Sequence, residues 1–342
     1  MGTSVDFGSA PCLAWTFEAG KPASVTAPQF DGIGDTCKWL TSTHPEIMAG
    51  LREYGAVYLR GLPVNTVDSV AMIRDVFIPQ RTPYREKATP RSSFGKDIYS
   101  STDLPPSQPI RMHNENSYTL TFPGLLMFAC LTAPEEGGAT PVADCRRILR
   151  SLPSELVERM RATGWILTRN YSEHISLDWR TVFASDSKEQ VEEYCGENLI
   201  SCNWDDADHL RTAQLRPGIV RHPETGEEVW FNHLAFWNSW ALDPDIREAL
   251  IDEFGPGGLP FETSFGDGAR LTQEELEVIS AAYAEATVRE TWQPGDIMLV
   301  DNILTAHGRD SFQGDRKIVV AMGAPVDIQA CRPTVAPAAT RL

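Results

Sequence analysis

The pattern of apolar and polar positions along the chain predicts many short strands separated by turns. Continuous apolar runs of strand length occur in "GLLMFACL" (124–131), "GDIMLVDN" (295–302) and "RKIVVAMG" (316–323). "WILTRNY" (165–171) has the composition of a further strand. "IVRHPETGEEVWFN" (219–232) has two β-rich arms around a Pro-Glu-Thr-Gly turn, which predicts a hairpin.

Helical segments flank these strands and do not alternate with them regularly. The sequence predicts a helix over 44–55 that ends at a glycine, and a helix over 66–77 that is capped by Thr66. Two further capped helices are predicted over 243–255 and 272–286. Many short strands with flanking helices are typical of a mainly β fold (α+β) of the jelly-roll type.

Length and local composition predict one large domain with irregular ends. Residues 1–35 are rich in Gly, Pro and small side chains and predict an irregular lead-in. Residues 36–325 form the predicted single domain with inserted helices, and the Pro- and Ala-rich residues 326–342 predict a flexible tail. The polar stretch 80–112 predicts a long loop, in which 95–110 is a candidate lid over a binding site.

Charge and cysteine content then exclude several classes of protein. The chain has 30 basic and 47 acidic residues, and a net charge of -17 repels phosphate backbones, so we expect no nucleic-acid partner. The seven cysteines are scattered and form no CxxC pair, which indicates reduced thiols and not a zinc ribbon. No apolar stretch approaches the ~18 residues of a membrane span, and no signal-peptide pattern is present. We therefore expect a cytoplasmic enzyme, with a homo-oligomer left open.

A cluster of polar side chains precedes the first apolar strand. "RMHNENSYTLTFPG" (111–124) places His113 and Glu115 two positions apart, and residues i and i+2 of an extended segment point the same way. A second histidine would complete a 2-His-1-carboxylate triad, which leaves open positions on Fe(II). His307 is the best candidate, because it lies between two late predicted strands. The other histidines are His44, His174, His209, His222 and His233.

The spacing alone leaves other interpretations open. A lone His-x-Glu occurs by chance in many chains, so the motif without its context is weak evidence for a metal. His307 could be an exposed turn residue, and the histidines beside the predicted hairpin could be hydrogen-bonded structural residues.

Two longer segments carry a family resemblance. "MHNENSYTLTFPGLLMFACLTAPEEGGATPVAD" and "GDIMLVDNILTAHGRDSFQGDRKIVVAMG" together resemble the TauD/TfdA-like family of Fe(II)- and 2-oxoglutarate-dependent oxygenases. The resemblance is greatest to the natural-product branch, near the syringomycin-type aspartyl hydroxylases. It implies a double-stranded β-helix, the jelly roll that the strand pattern also predicts. It further implies Fe(II), 2-oxoglutarate as co-substrate, and O2.

The resemblance assigns roles to individual residues. His113, Glu115 and His307 match the metal triad of the family. Related halogenases lack the carboxylate so that chloride can bind the iron, and Glu115 therefore argues against halogenation. Thr140, in "GGATPVAD", matches the threonine that contacts the co-substrate. Arg316 matches the arginine that binds the distal carboxylate of 2-oxoglutarate, a role for which a planar guanidinium is suited.

Arg309 competes with Arg316 for this role, because Arg316 lies only nine residues after His307. The implied substrate is an amino-acid-like small molecule, free or presented on a carrier protein. The candidate substrate contacts are Asn114, Asn116, Ser117, Trp230, Asn232 and Arg309. Tyr118, His233, Phe236 and Trp237 are further candidates for the pocket wall.

Hydroxylation of an unactivated C–H bond is the leading interpretation of function. The same iron site could also perform desaturation, epoxidation or cyclisation. A metal-dependent hydrolase or isomerase would use the metal as a Lewis acid and would need neither Thr140 nor Arg316. A non-catalytic jelly-roll binding protein would not need the three metal ligands.

Overall fold

The computed structural model describes residues 13–82, 86, 91–171, 177–206 and 208–341. His174 lies outside the described residues. Within them the α-helices are α1 (Ile33–Tyr54), α2 (Val67–Phe77), α3 (Cys145–Ser151), α4 (Ser154–Thr163), α5 (Trp179–Phe183), α6 (Lys188–Glu197), α7 (Pro244–Phe254) and α8 (Gln273–Ala286). Short 3-10 helices cover Ser239–Ala241 and Ile328–Cys331. No described helix is both long and apolar enough to cross a membrane.

The strands are short except at the centre of the molecule. In the same described ranges they are β1 (Trp15–Thr16), β2 (Ala23–Thr26), β3 (Ala56–Arg60), β4 (Tyr99–Ser100), β5 (Ile110–His113), β6 (Thr121–Thr132), β7 (Glu136–Gly137), β8 (Val142–Asp144), β9 (Trp165–Tyr171), β10 (Ser201–Trp204), β11 (Leu210–Arg216), β12 (Ile219–Arg221), β13 (Glu228–Trp230), β14 (Phe261–Phe265), β15 (Thr287–Val288), β16 (Ile297–Asp301), β17 (Thr305–Arg309), β18 (Phe312–Gln313), β19 (Lys317–Asp327) and β20 (Ala338–Ala339).

The main sheet has β6 at its centre. Its strand order in the described residues is β1-β2-β3-β16-β6-β19-β4, antiparallel except for β2 with β3. The two faces of β6 pack into different apolar clusters: Leu125 and Met127 lie in one with α1 and α2, and Leu126 and Phe128 lie in another. A strand buried on both faces has no polar positions to alternate with. This explains the continuous apolar run that predicted it.

A smaller sheet, β15-β8-β17-β5, packs over the second face of the main sheet. Val142 of β8 shares a cluster with Phe128 of β6 and Met298 of β16, so the two sheets enclose a common interior. Two such sheets form the predicted jelly roll, and this prediction is confirmed. The smaller sheet carries His113 at the end of β5 and His307 in the middle of β17.

An inserted sheet, β10-β11-β9-β14, extends the molecule beyond the jelly roll, and β20 pairs with β11. The predicted hairpin is confirmed as β12 and β13. Strand β11 was not predictable from an apolar pattern, because Gln214 and Arg216 are among its buried side chains. Both reach inward to the carbonyl of Tyr118, at 2.7 Å each, so polar residues occupy positions that a strand pattern expects to be apolar.

The predicted bounds of α2 agree with the structure, and those of α1 agree at its end only. Helix α2 has the predicted cap, since Thr66 Oγ1 accepts a hydrogen bond from Ser69 N at 3.1 Å. Helix α1 ends at Gly55 as predicted but begins at Ile33, well before the predicted start at residue 44. The helix continues through Pro45, so its first three turns precede the predicted segment.

The two ends of the chain differ from the irregular segments that were expected. In the lead-in, β1 and β2 form strands, and Val25 of β2 is fully buried beside β3. In the expected flexible tail, β20 pairs with β11 and Cys331 is fully buried. Both expectations are therefore corrected within the described residues, because apolar side chains at each end complete a core cluster. The single-domain boundary at 36–325 stays a prediction.

Gly55 joins α1 to β3 at a position where a side chain would meet Thr305. Its φ is 75°, and an added Cβ would lie 2.1 Å from Thr305 Oγ1 at the start of β17. Gly226 has a similar φ of 73° but no heavy atom within 4 Å of a built Cβ. We expect Gly55→Ala to cost about 2 kcal/mol of unfolding free energy, and Gly226→Ala about 1 kcal/mol. Urea unfolding measures both, and equal losses would mean that Thr305 relieves the contact by rotating.

Candidate metal centre

Strand pairing brings the two predicted histidine ligands together. In the antiparallel ladder between β5 and β17, His307 lies directly opposite His113, and their ring centroids are 4.4 Å apart. Glu115 follows just beyond the end of β5, and its Oε2 is 3.8 Å from Nε2 of each histidine. Atoms at this separation can both reach one ion about 2.1 Å from each. Among the described residues these three form the only such cluster of possible metal ligands.

The charge states of the cluster suit a divalent cation. Burial alone would raise the pKa of Glu115, but Arg91, whose Nη2 lies 2.8 Å from Oε2, and the two histidines hold that pKa well below its usual range. Burial lowers the pKa of His307 well below its ordinary value. Near neutral pH the carboxyl group is therefore charged and the His307 imidazole is neutral, which are the forms that bind metal.

The orientation of the imidazoles is also suitable. His113 Nδ1 donates a hydrogen bond to the carbonyl of Arg111 at 2.9 Å, so Nε2 presents its lone pair to the cluster. His307 Nδ1 is buried and has no hydrogen-bond partner in the described part of the chain. Two imidazoles and one carboxylate are a donor set that fits Fe(II) and leaves positions for further ligands.

The cluster opens into a cavity with aromatic and cationic walls. Phe128 of β6 and Phe236 supply apolar surface beside the histidines, while Arg91, Arg316 and Arg309 supply positive charge. The other described lining residues are Ser101, Ile110, Asn116, Tyr118, Thr140, His233 and Gly308. In a protein whose net charge is -17, this cavity contains three arginines against one carboxylate, which favours anionic ligands.

Thr140 and Arg316 meet on the wall of this cavity. Arg316 Nη2 donates to Thr140 Oγ1 at 3.3 Å, and Trp292 Nε1 donates to the same oxygen at 3.1 Å. Since this hydroxyl accepts two hydrogen bonds, its own proton is available to a further acceptor. Burial lowers the pKa of Arg316 to about 10, so the guanidinium stays charged at neutral pH. The pair is therefore a donor site for a carboxylate.

Arg309 has a different environment. Its Nη1 donates to the carbonyl of Leu104 at 3.0 Å, and its Nη2 donates to the carbonyls of Pro105 and Gln108 at 2.7 and 2.5 Å. These bonds use both hydrogens of Nη2 and fasten the candidate lid, 95–110, to β17. Arg316 is also bonded, through Nε to the carbonyl of Gly138 at 2.9 Å and through Nη1 to Ser101 Oγ at 3.1 Å, but each of its Nη atoms makes one hydrogen bond only within the described residues. The geometry therefore favours Arg316 over Arg309 as the carboxylate-binding arginine.

Four of the six predicted substrate contacts make structural contacts in the described chain. Asn114 donates to the carbonyl of Asn302 at 2.7 Å, and Ser117 Oγ is 2.6 Å from His233 Nδ1. Trp230 is fully buried in the core, and Asn232 bonds to the backbone of its own hairpin region. None of Asn114, Ser117, Trp230 and Asn232 lines the described cavity. The geometry gives these four predictions no support, and they stay predictions. Asn116 and Arg309 do line it.

The sequence did not single out three of the lining residues, Arg91, Ser101 and Phe128, although Ser101 lies in the candidate lid, 95–110. Phe128 was accessible to prediction, since alternation along β6 places it on the face opposite Met127. Arg91 and Ser101 lie in a long polar stretch with no period, where nothing in the sequence separates an inward side chain from an exposed one.

Comparisons with known proteins agree with this geometry. The profile of the "Taurine catabolism dioxygenase TauD, TfdA family" matches residues 25–322. The dapdiamide synthesis protein DdaC of Enterobacter agglomerans is 34% identical over 284 residues, which cover 83% of this chain and 86% of the relative. A taurine dioxygenase structure from Burkholderia xenovorans has a TM-score of 0.54 at 16% identity, and covers 97% of this chain and 95% of its own. PvcB, an Fe, α-ketoglutarate-dependent oxygenase from an isonitrile synthetic pathway, has a TM-score of 0.53 at 14% identity, with 94% of each chain covered.

The match to the family over most of the chain, together with the cluster of two histidines and one carboxylate, identifies a non-haem iron, 2-oxoglutarate-dependent dioxygenase. Its co-substrates are 2-oxoglutarate and O2, and its metal is Fe(II). The chain belongs to the TauD, TfdA family, and its similarity to DdaC supports the natural-product branch. The family resemblance seen in the sequence is thus confirmed.

The carboxylate ligand provides a direct test of the metal centre. Glu115→Gln removes the negative charge from the cluster, and we expect it to weaken Mn(II) binding by more than about tenfold. Titration calorimetry measures the dissociation constant, and urea unfolding checks that the variant is folded. Glu193→Gln, at an exposed position of α6, is the matched control. Unchanged Mn(II) affinity in folded Glu115→Gln would remove Glu115 from the ligand set.

Proposed function

We propose that this chain hydroxylates an unactivated C–H bond of an amino-acid-like small molecule in natural-product biosynthesis. One observation carries the proposal: Nε2 of His113, Nε2 of His307 and Oε2 of Glu115 converge in the same cavity as the Thr140–Arg316 donor pair. A metal-dependent hydrolase would have no use for that pair. The described cysteines are all free, which is typical of the cytoplasmic location expected from the sequence.

The three ligands would hold Fe(II) and leave positions for the co-substrate and O2. When bound, the iron and 2-oxoglutarate supply the oxidising chemistry: 2-oxoglutarate, O2 and the substrate C–H bond are converted to succinate, CO2 and an alcohol. The distal carboxylate of 2-oxoglutarate fits the Arg316 guanidinium and the Thr140 hydroxyl. Phe128 and Phe236 would exclude water beside the ligands and position the C–H bond.

His233 supplies a hydrogen-bond donor for the substrate. Burial lowers the pKa of His233 well below its ordinary value, so the ring is neutral. Ser117 is buried, and its Oγ lies 2.6 Å from His233 Nδ1. In the tautomer in which the hydroxyl donates to Nδ1, the ring proton lies on Nε2. His233 lines the cavity, and its Nε2–H together with the Arg91 guanidinium suits an oxygen acceptor such as a carboxylate or carbonyl. This supports an amino-acid-like substrate, either free or attached to a carrier protein.

The first experiment tests chelation of the co-substrate. Anaerobic addition of Fe(II) and then of 2-oxoglutarate to the apo-protein is expected to produce a weak visible charge-transfer band that needs both additions. His307→Ala should lose the band and also the O2-dependent formation of succinate. If the wild-type protein binds iron and gives no band with 2-oxoglutarate, the oxygenase proposal fails.

A pair of arginine variants tests how 2-oxoglutarate is bound. Arg316→Ala is expected to raise the dissociation constant of 2-oxoglutarate by about tenfold or more, because a buried charge-assisted pair is lost. Arg309→Ala is expected to leave that constant within about twofold, because its guanidinium is bonded to backbone carbonyls. Anaerobic titration of the charge-transfer band measures both. The reverse ranking would assign the co-substrate carboxylate to Arg309.

A further inference from the structure

We infer that Asn302 is a positioning residue of the metal centre, and that its side chain holds Glu115 at the spacing from His307 that an ion needs. The inference rests on the proposed function, since it concerns metal binding by the same three residues. Asn302 does not line the cavity in the described structure, and it would act only through Glu115.

The two kinds of ligand are held by different means. His113 and His307 are residues of paired strands, so the β5–β17 ladder fixes their separation. Glu115 lies beyond the last residue of β5, and Asn116 after it has a left-handed φ of 55°, so no ladder extends to the carboxylate ligand. Some other contact must therefore fix the main chain at Glu115.

The Asn302 side chain makes that contact at both polar atoms of the ligand's main chain. Its Oδ1 accepts from Glu115 N at 2.7 Å, and its Nδ2 donates to Glu115 O at 2.9 Å. The second Nδ2 hydrogen goes to the carbonyl of Pro123 at 2.7 Å. Asn302 is fully buried, so these bonds have no water to replace them if the side chain is removed.

The main chain of Asn302 adds two more links to the same region. Its carbonyl accepts from Asn114 Nδ2 at 2.7 Å, and its N–H donates to the carbonyl of Gly124 at 3.0 Å. Asn114 lies between the two ligands of the β5 segment. Its hydrogen bond therefore attaches residues 113–115 to the main chain of Asn302 as well.

The segment 301–307, "DNILTAH", links this contact to the third ligand. Asp301 Oδ1 accepts from Ile303 N and Leu304 N at 3.0 Å each, and its Oδ2 is 3.0 Å from His222 Nε2. These bonds fix the turn between β16 and β17. Asn302 and His307 are thus held in one rigid segment, and the spacing between Glu115 and His307 depends on it.

A buried asparagine can also matter for stability alone, so the test needs a matched control. Asn238 is 3% exposed, and its Nδ2 donates to the carbonyl and hydroxyl of Thr263 and to Glu262. Its Oδ1 accepts from Trp240 N. Asn238 makes a comparable set of bonds but does not line the described cavity or contact a metal ligand.

The experiment compares Asn302→Ala with Asn238→Ala in the full chain, with Co(II) as the probe. Both substitutions are expected to lower the urea midpoint of the metal-free protein. Only Asn302→Ala is expected to raise the Co(II) dissociation constant, by about tenfold, and to change the visible absorption bands of bound Co(II). Calorimetry measures the affinity, and the bands report the ligand geometry.

Each outcome decides the inference. If Asn302→Ala folds and binds Co(II) with the affinity and absorption bands of the wild-type protein, Asn302 is a structural residue only, and the inference is overturned. If Asn302→Ala does not fold, Asn302→Asp keeps the acceptor for Glu115 N and removes the two hydrogen bonds that Nδ2 donates to Glu115 O and Pro123 O. An unchanged Co(II) affinity with wild-type bands in that variant would overturn the inference equally. A wild-type protein that binds no Co(II) would instead contradict the metal centre, and the proposed function with it.

Discussion

The antiparallel pairing of β5 with β17 is the constraint on which the metal centre depends. It joins two segments that are far apart in the sequence and places His307 directly opposite His113. Because side chains alternate across a strand, a shift of one residue in this ladder would turn one histidine out of the cavity. The register is held from both sides, since β8 pairs with the other edge of β17 and packs on the main sheet. The jelly roll is thus the frame that makes a three-residue ligand set possible.

Charge sets the second requirement of the site. Burial of the Glu115 carboxylate is tolerated because Arg91 and the two histidines surround it. A bound metal cation would add to the positive charge that compensates this carboxylate. Arg316 is half-buried and meets Thr140 on the cavity wall. The interior is therefore cationic although the protein as a whole is strongly acidic. An anionic co-substrate satisfies the excess charge, in agreement with the 2-oxoglutarate dependence of the family.

The fold could be predicted from the sequence where the buried positions of a strand or helix are apolar. The apolar strands β6, β16 and β19, the hairpin β12–β13 and the capped helix α2 were all evident, because their patterns depend on local sequence. Strand β11 was not, since Gln214 and Arg216 are buried inside it and bond to a distant carbonyl. The early start of α1 and the strands of the lead-in were also missed. Their stability comes from packing on the main sheet and not from local propensity.

For the site, the sequence by itself determined the family and pointed to the three candidate ligands that the structure brings together. The i, i+2 spacing of His113 and Glu115 and the two flanking motifs are local, and they carry the chemistry directly. Only the tertiary structure decided which arginine meets Thr140, that Arg91 faces Glu115, and that Asn302 holds the ligand's main chain. These contacts join residues that are far apart in the chain. Which residues meet depends on strand register and on the paths of the loops, and no local sequence pattern encodes either.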